Sequence, residues 1–187
     1  MDIASAPCRT DRRAVVAGVL MALWCVGFAV ANVWLELSGR LDDGPYAAYA
    51  RGFLVMNVLV FALKLLGAAV MLLAVADRPR LIGPWWTSVL AFGAFATLGV
   101  YAAAGVAKGA ALVATGSDQA TAASVGYLLF FVLGACGFGV VAVAHWRRFR
   151  PGAAPVLVGA AGAPVLLVAV LTVAPRALSA LGVMPAV

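Results

Sequence analysis

The chain has 187 residues, of which 65% are hydrophobic and only 11% are charged. Soluble globular domains average roughly 45–50% apolar and 25% charged residues, so this composition excludes an ordinary soluble domain. The formal net charge is +6. The basic residues gather at the ends of apolar runs and form no basic stripe interleaved with aromatics, so no nucleic-acid partner is expected.

Five continuous apolar runs follow one another along the chain, each long enough to cross a hydrocarbon core about 30 Å thick. They lack the alternation of apolar and polar residues that is typical of membrane β-barrel strands. We therefore predict an all-α fold, a polytopic integral membrane helical bundle. It forms a single membrane domain over residues 1–187, with residues 1–13 as a short cytoplasmic tail. The predicted spans are 14–37, 52–76, 85–107, 121–144 and 153–174.

The first predicted span has a second interpretation. Arg12 and Arg13, followed by an apolar stretch and the triplet Ala29-Val30-Ala31, also fit a secretory signal peptide with its cleavage site. Cleavage after Ala31 would leave a four-helix protein. We favour a retained span, because the apolar run continues past the site to Leu37 and no soluble domain that requires export follows.

Polar side chains interrupt the first two spans. Asn32 and Glu36 stand at i, i+4 on the first span, and Asn57 and Lys64 stand at i, i+7 on the second, so each pair shares a helix face. The two spans run antiparallel, and both asparagines lie about five residues from the outer boundary. We therefore expect Asn32 and Asn57 to meet as an interhelical amide pair.

Lys64 lies near the centre of the second span, where an ammonium costs about 2.5–3.5 kcal/mol on insertion scales. A charge at this depth is a functional-site hypothesis by default. At a rise of 1.5 Å per residue, Glu36 falls very roughly 10 Å short of the ammonium, so a direct salt bridge requires tilt, a helix break or water. Two interpretations stay open. We favour a polar internal cavity open to the outer face over a snorkelling or carbonyl-bonded lysine with no role.

The loop between the first two spans contains Asp42 and Asp43, which precede Gly44 and Pro45 and are typical of a solvated turn. A single Asp-Asp pair is a weak signal for a divalent cation. We predict no metal site and no cofactor. His145, the only histidine, directly precedes a Trp-Arg-Arg segment, and we expect it at the cytoplasmic interface.

The distribution of Lys and Arg outside the spans predicts the orientation, because cytoplasmic loops are enriched in them. With the N-terminus inside, eight basic residues lie inside and four outside. The inner set is Arg9, Arg12, Arg13, Arg78, Arg80, Arg147, Arg148 and Arg150, and the outer set is Arg40, Arg51, Lys108 and Arg176. Five spans then give an N-in, C-out protein of a cell membrane, which we interpret as a bacterial cytoplasmic membrane.

Two classes of function are compatible with these residues. No nucleotide-binding loop, HExxH or GxSxG motif occurs. We therefore favour a non-enzymatic protein that binds or passes a small or lipid-like ligand, or serves as a subunit of a larger membrane complex. Its partners would be membrane lipids, such a ligand or other membrane subunits. Its ligand-binding site would lie in the outer half of the bundle, with Lys64, Asn57, Asn32 and Glu36.

The alternative is a membrane-embedded enzyme that acts on an isoprenoid or other lipid-like substrate. Glu36, or Asp42 and Asp43, would then act as the catalytic acid, because a buried carboxyl can keep the raised pKa that such chemistry requires.

Overall fold

The structure is a computed structural model that describes residues 11–38, 50–76, 81–115 and 121–182. These ranges are helical and contain no strand, which confirms the prediction of an all-helical chain. The helices are α1 (Arg12–Leu37), α2 (Ala50–Val75), α3 (Pro84–Ala114), α4 (Ala122–Phe149) and α5 (Ala154–Ala180).

Four of the helices are long and apolar enough to cross a membrane, namely α1, the Leu54–Val75 part of α2, α3 and α4. The fifth predicted span coincides with α5, whose apolar stretch among the described residues, Ala154–Ala169, is shorter. Helix α3 continues past the predicted end at residue 107 to Ala114. Residues 108–114 include three alanines and one leucine, which have high helix propensity, so the helix continues past Lys108.

Local sequence signals explain where several helices begin and end. The side chain of Asp11 accepts a hydrogen bond from the backbone N–H of Arg13 at the start of α1. Pro84 occupies the first turn of α3, where its missing N–H costs nothing. Thr121 and Ser124 form a reciprocal capping box that begins α4. At the other end of α4, Arg150 adopts a left-handed conformation with φ 43°, which terminates the helix.

Helix α4 contacts α1, α2 and α3, and α2 also contacts α3. Helix α1 also packs along α2, and α5 packs against α3. Buried apolar side chains from α1 to α4 form one continuous core, in which Met71, Phe138 and Val141 are almost completely shielded. The outward faces carry many exposed Val and Leu side chains, as expected for helices that face lipid hydrocarbon.

His145 and Arg148 of α4 contact backbone carbonyls at the end of α2, and His145 also lies near a carbonyl at the start of α3. The Nδ1 atom of His145 lies 3.0 Å from the carbonyl oxygen of Ala74, and its Nε2 atom lies 3.4 Å from that of Pro84. Arg148 Nη1 donates to the carbonyl oxygen of Ala76 at 3.1 Å. The last carbonyls of a helix lack intrahelical donors, and His145 and Arg148 lie where they can donate to those of Ala74 and Ala76 at the end of α2. The imidazole of His145 is therefore buried against backbone.

Gly159 allows the backbones of α3 and α5 to touch. A Cβ atom at this position would lie 2.3 Å from the carbonyl oxygen of Val89 and 3.0 Å from the backbone nitrogen of Gly93. Only hydrogen fits there, so glycine permits the close helix contact that small residues provide in membranes. Gly162, three residues further along α5, has no atom within 4 Å of an equivalent Cβ.

We predict that Gly159→Ala lowers the stability of the folded protein by about 1–3 kcal/mol, because α3 and α5 must move apart. Gly162→Ala is the matched control and should be neutral or stabilising by up to about 1 kcal/mol, as for glycine to alanine in a helix. Thermal unfolding in detergent, followed by circular dichroism, measures both. Equal midpoints for the two variants would contradict the α3–α5 contact.

Candidate functional site

The ammonium of Lys64 lies among three aromatic rings. Its Nζ atom is 4.3 Å from the ring centroid of Trp24, 4.5 Å from that of Phe28 and 5.4 Å from that of Phe131. Trp24 and Phe28 come from α1 and Phe131 comes from α4, whereas Lys64 belongs to α2. We call Trp24, Phe28 and Phe131 the aromatic cage. All three distances fall within the approximately 6 Å over which a cation is attracted to a ring face.

The rings of the cage hold one another in place. Phe131 meets Trp24 edge-on at 88° and Phe28 at 78°. Tyr101 of α3 and Tyr127 of α4 pack against Phe131 with centroid distances of 4.6 and 4.8 Å. Their hydroxyl oxygens lie 3.2 Å apart, within hydrogen-bond distance. The position of the ammonium is therefore set by side chains from α1, α3 and α4.

The aromatic cage depends on the spacing of Trp24 and Phe28 along α1 and on the small size of Gly134. Trp24 and Phe28 are separated by four residues, so both project from the same face of α1. A Cβ atom at Gly134 would lie 2.8 Å from the indole of Trp24, so the missing side chain of Gly134 provides the space in which the indole packs against α4. The indole N–H has no hydrogen-bond partner among the described residues. Trp24 therefore acts here through the face of its ring.

The aromatic cage accounts for the cost of placing the Lys64 ammonium within a membrane span. A desolvated cation–π contact contributes about 2 kcal/mol or more. Three such contacts offset an insertion cost of about 2.5–3.5 kcal/mol. Within the described ranges no carboxylate forms an ion pair with Lys64. The partner of the charge in this part of the chain is thus aromatic, and neither a water-filled cavity nor a carbonyl cap is needed to account for it.

A separate pocket, with a largely apolar lining, lies between α1 and α2. Asn57 Nδ2 donates a hydrogen bond to Glu36 Oε2 at 2.5 Å. The pair borders a cavity of about 110 Å³, which we call the α1–α2 pocket. The described residues that line it are Asn32, Val33, Glu36, Leu37, Asn57, Val58 and Phe61.

The expected amide pair between Asn32 and Asn57 does not match the hydrogen bond that Asn57 makes. Asn57 donates to the carboxylate of Glu36 rather than pairing with Asn32, one turn earlier on α1. A hydrogen bond to an ionised acceptor is roughly twice as strong as a neutral one, which favours the carboxylate where both acceptors are within reach. Asn32 instead contributes its side chain to the lining of the same cavity.

The four residues predicted as one ligand site occupy two places in the structure. Asn32, Glu36 and Asn57 come together in the α1–α2 pocket, while Lys64 is not among its lining residues and points into the aromatic cage. Seven residues separate Asn57 from Lys64, which corresponds to about 10 Å along a helix. The remaining candidates, Asp42 and Asp43, lie outside the described residues.

The described residues contain no group of three or more His, Cys, Asp or Glu side chains that could hold a metal ion. Cys25 is buried and Cys136 is exposed, and both are free thiols. Comparison with models of known protein families, with curated proteins and with solved structures finds no match to this chain. The site consists of a carboxylate and two amides at one level, and a caged ammonium below them.

A double-mutant cycle tests the cage. We predict that Trp24→Leu destabilises the natural protein more than it destabilises a Lys64→Met variant, with a coupling energy of about 1–2 kcal/mol. The physical reason is that a methionine side chain at this position carries no charge for the indole to attract. Unfolding free energies in detergent provide the four values.

Phe95 supplies the control for this cycle. Its ring packs against Gly139 on the α3–α4 contact and is not one of the rings around Lys64. Phe95→Leu should show coupling to Lys64→Met below about 0.5 kcal/mol, the limit for independent sites. If the Trp24 cycle gives an equally small value, the indole does not stabilise the ammonium.

Proposed function

We propose that this chain is a non-enzymatic, multi-pass membrane protein that binds a small or lipid-like ligand in its α1–α2 pocket. One observation carries the proposal: Asn32, Glu36 and Asn57 are among the seven residues that line a largely apolar cavity between α1 and α2, two helices with few other polar residues. Polar groups in membrane spans are expensive, and they characteristically mark ligand or ion sites. Here three such groups meet at a single cavity.

The position of the pocket along the helices supports a lipid-like ligand. The pocket lies where α1 ends and α2 begins, close to the predicted outer boundary of the membrane. Its walls combine the three polar side chains with the apolar side chains of Val33, Val58 and others. This combination suits a molecule with a polar head and an apolar body, since binding pockets are mostly apolar with a few orienting polar groups.

Lys64 has a positioning role in this proposal and does not contact the ligand. The cage joins α2 to α1 and α4 below the pocket, and the Glu36–Asn57 hydrogen bond joins α1 to α2 at the pocket itself. These two contacts lie at different depths along the helices. Together they hold α1 and α2 in a fixed position relative to each other, and so keep the walls of the α1–α2 pocket in place. Lys64 is therefore removed from the ligand-binding set predicted from sequence and becomes part of its support.

The proposed membrane arrangement has five spans with the N-terminus inside and the C-terminus outside, in a bacterial cytoplasmic membrane. Its support is the charge distribution: the start of α1 and the end of α4 bring Arg12, Arg13, Arg147, Arg148 and Arg150 to one end of the bundle. The contacts of α1 with α2 and α4 favour its retention over cleavage as a signal peptide, since Trp24 and Phe28 complete the cage.

We predict that green fluorescent protein fused to the N-terminus fluoresces, because it stays in the cytoplasm. Fused to the C-terminus it should be dark, whereas alkaline phosphatase at the same C-terminal position should be active, since that enzyme matures outside. Whole-cell fluorescence and phosphatase activity measure these outcomes. A fluorescent C-terminal fusion would reject the C-out orientation.

A bulky side chain that fills the α1–α2 pocket tests whether this pocket is the ligand-binding site. Val58 lines the cavity and is 60% exposed, so Val58→Trp should occupy the space with little disturbance of the core. We predict at least a tenfold loss of phospholipid retained by the purified protein. Native mass spectrometry, after incubation with an equimolar mixture of phosphatidylethanolamine and phosphatidylglycerol, gives the measurement.

Leu133→Trp is the matched control, because Leu133 is 66% exposed on α4 and does not line the pocket. It should retain lipid as the natural protein does. Equal retention by the two tryptophan variants would place the bound lipid elsewhere and reject the pocket as the ligand site.

A further inference from the structure

We propose that the end of the bundle where α1 begins and α4 ends binds an anionic phospholipid. The phosphate of this lipid lies against four arginines, and one of its acyl chains lies along the first turns of α1. The four residues, which we call the arginine end, are Arg12, Arg13, Arg147 and Arg150. This surface is distinct from the α1–α2 pocket, which lies at the opposite end of α1.

The two pairs of arginines lie at one end because α1 and α4 run antiparallel side by side. Met21 of α1 occupies the space beside Gly137 of α4. From this contact, Arg12 lies nine residues back along α1 and Arg147 lies ten residues further along α4. At a rise of 1.5 Å per residue these are about 14 and 15 Å, so the two helices bring their arginines to the same level.

The charge of the arginine end favours an anion. All four side chains are exposed, and within the described ranges none of them forms an ion pair. Arg148 is not part of the set, because it donates to the carbonyl oxygen of Ala76. The carboxylate of Asp11, which accepts a hydrogen bond from the backbone N–H of Arg13 at 3.1 Å, is the opposing charge at the start of α1. Four positive charges against this one negative charge attract a phosphate, and each basic residue near the surface adds to the attraction.

A groove along α1 favours a lipid over an acidic protein segment. Its volume is about 500 Å³, and we call it the α1 groove. The described residues that line it are Asp11, Arg12, Arg13, Val16, Ala17 and Leu20. The charged residues belong to the helix start and the apolar ones to the next two turns, so the lining changes from charged to apolar along the helix. A phospholipid has the same order of head group and acyl chain, whereas an acidic protein segment offers nothing for the apolar part.

Aromatic side chains at the same end are typical of the level of lipid head groups. Trp146 directly precedes Arg147, and Trp85 and Trp86 begin α3, which meets the end of α4 at His145. Trp side chains are enriched at membrane–water interfaces. With the N-terminus inside, as proposed above, the arginine end faces the cytoplasmic leaflet, whose surface carries anionic lipids.

The experiment compares spin-labelled phosphatidylglycerol with spin-labelled phosphatidylcholine on identical acyl chains. Contacts between exposed charges are individually weak, so such a lipid exchanges with the bilayer and is measured at equilibrium rather than as lipid retained after purification. Each probe is added to phosphatidylcholine vesicles that contain the natural protein, and electron paramagnetic resonance gives the fraction immobilised by the protein. At about 0.01 M ionic strength we expect phosphatidylglycerol to associate about twofold more strongly, averaged over all lipids around the bundle. At about 1 M the Debye length is about 3 Å, and the preference should disappear.

Paired substitutions locate the lipid. Arg12→Gln combined with Arg13→Gln removes both arginines of the α1 groove and should lower the preference at 0.01 M to about 1.3-fold or less. Replacing the same two residues by lysine keeps the charge and should keep the preference. Lys108→Gln combined with Arg176→Gln is the matched control, because both residues are exposed, lie far along α3 and α5 from the arginine end, and change the charge by the same amount. This control should behave as the natural protein does.

Three results would overturn the proposal, and the first two need no variant that folds. Equal association of the two lipids at 0.01 M would exclude an anionic-lipid surface, and a preference that persists at 1 M would exclude charge as its cause. A preference that the glutamine pair at the start of α1 leaves intact, or that the control pair lowers equally, would place the lipid elsewhere. Val58→Trp should leave the preference unchanged, because Leu20 and Asn32 are about 18 Å apart along α1. Failure of the α1–α2 pocket and failure of the arginine end are therefore separate outcomes.

Discussion

The contact between the Lys64 ammonium and three aromatic rings is the constraint on which the rest of this bundle depends. A charge at mid-membrane depth must be compensated locally, because hydrocarbon supplies neither water nor counter-ions. Trp24 and Phe28 from α1 and Phe131 from α4 provide the compensation. The requirement that their ring faces surround one atom of α2 limits how these three helices can rotate and slide relative to one another.

The α1–α2 pocket follows from that constraint. Phe28 lies one turn from Asn32 on α1, so the face of α1 that holds the ammonium also carries the polar groups of the pocket. On α2, Lys64, Phe61 and Asn57 occupy positions along the corresponding face. With the cage fixing the rotation of both helices, Asn57 meets the carboxylate of Glu36. A ligand would bind to a surface that is already organised, which reduces the ordering cost of binding.

Small residues make this aromatic arrangement possible in a closely packed bundle. Gly134 leaves space for the indole of Trp24, and Gly137 leaves space for the thioether of Met21, both at the α1–α4 contact. Gly159 likewise leaves space for the backbone contact between α3 and α5. The bundle thus pairs large side chains on one helix with missing side chains on the next, so that helices rich in Ala and Gly still pack at high density.

Sequence alone determined the helices, because long apolar runs with basic and Pro-containing ends leave a membrane-crossing chain few alternatives. It also identified Lys64, Glu36, Asn32 and Asn57 as the unusual residues, since polarity in an apolar run is visible without coordinates. Only the tertiary structure decided their partners. The rings that meet Lys64 are distant from it in sequence, and phenylalanine or tryptophan in a membrane span is indistinguishable there from ordinary core. Whether Asn57 reaches Asn32 or Glu36 depends on helix rotation, which side-chain packing sets and sequence spacing does not.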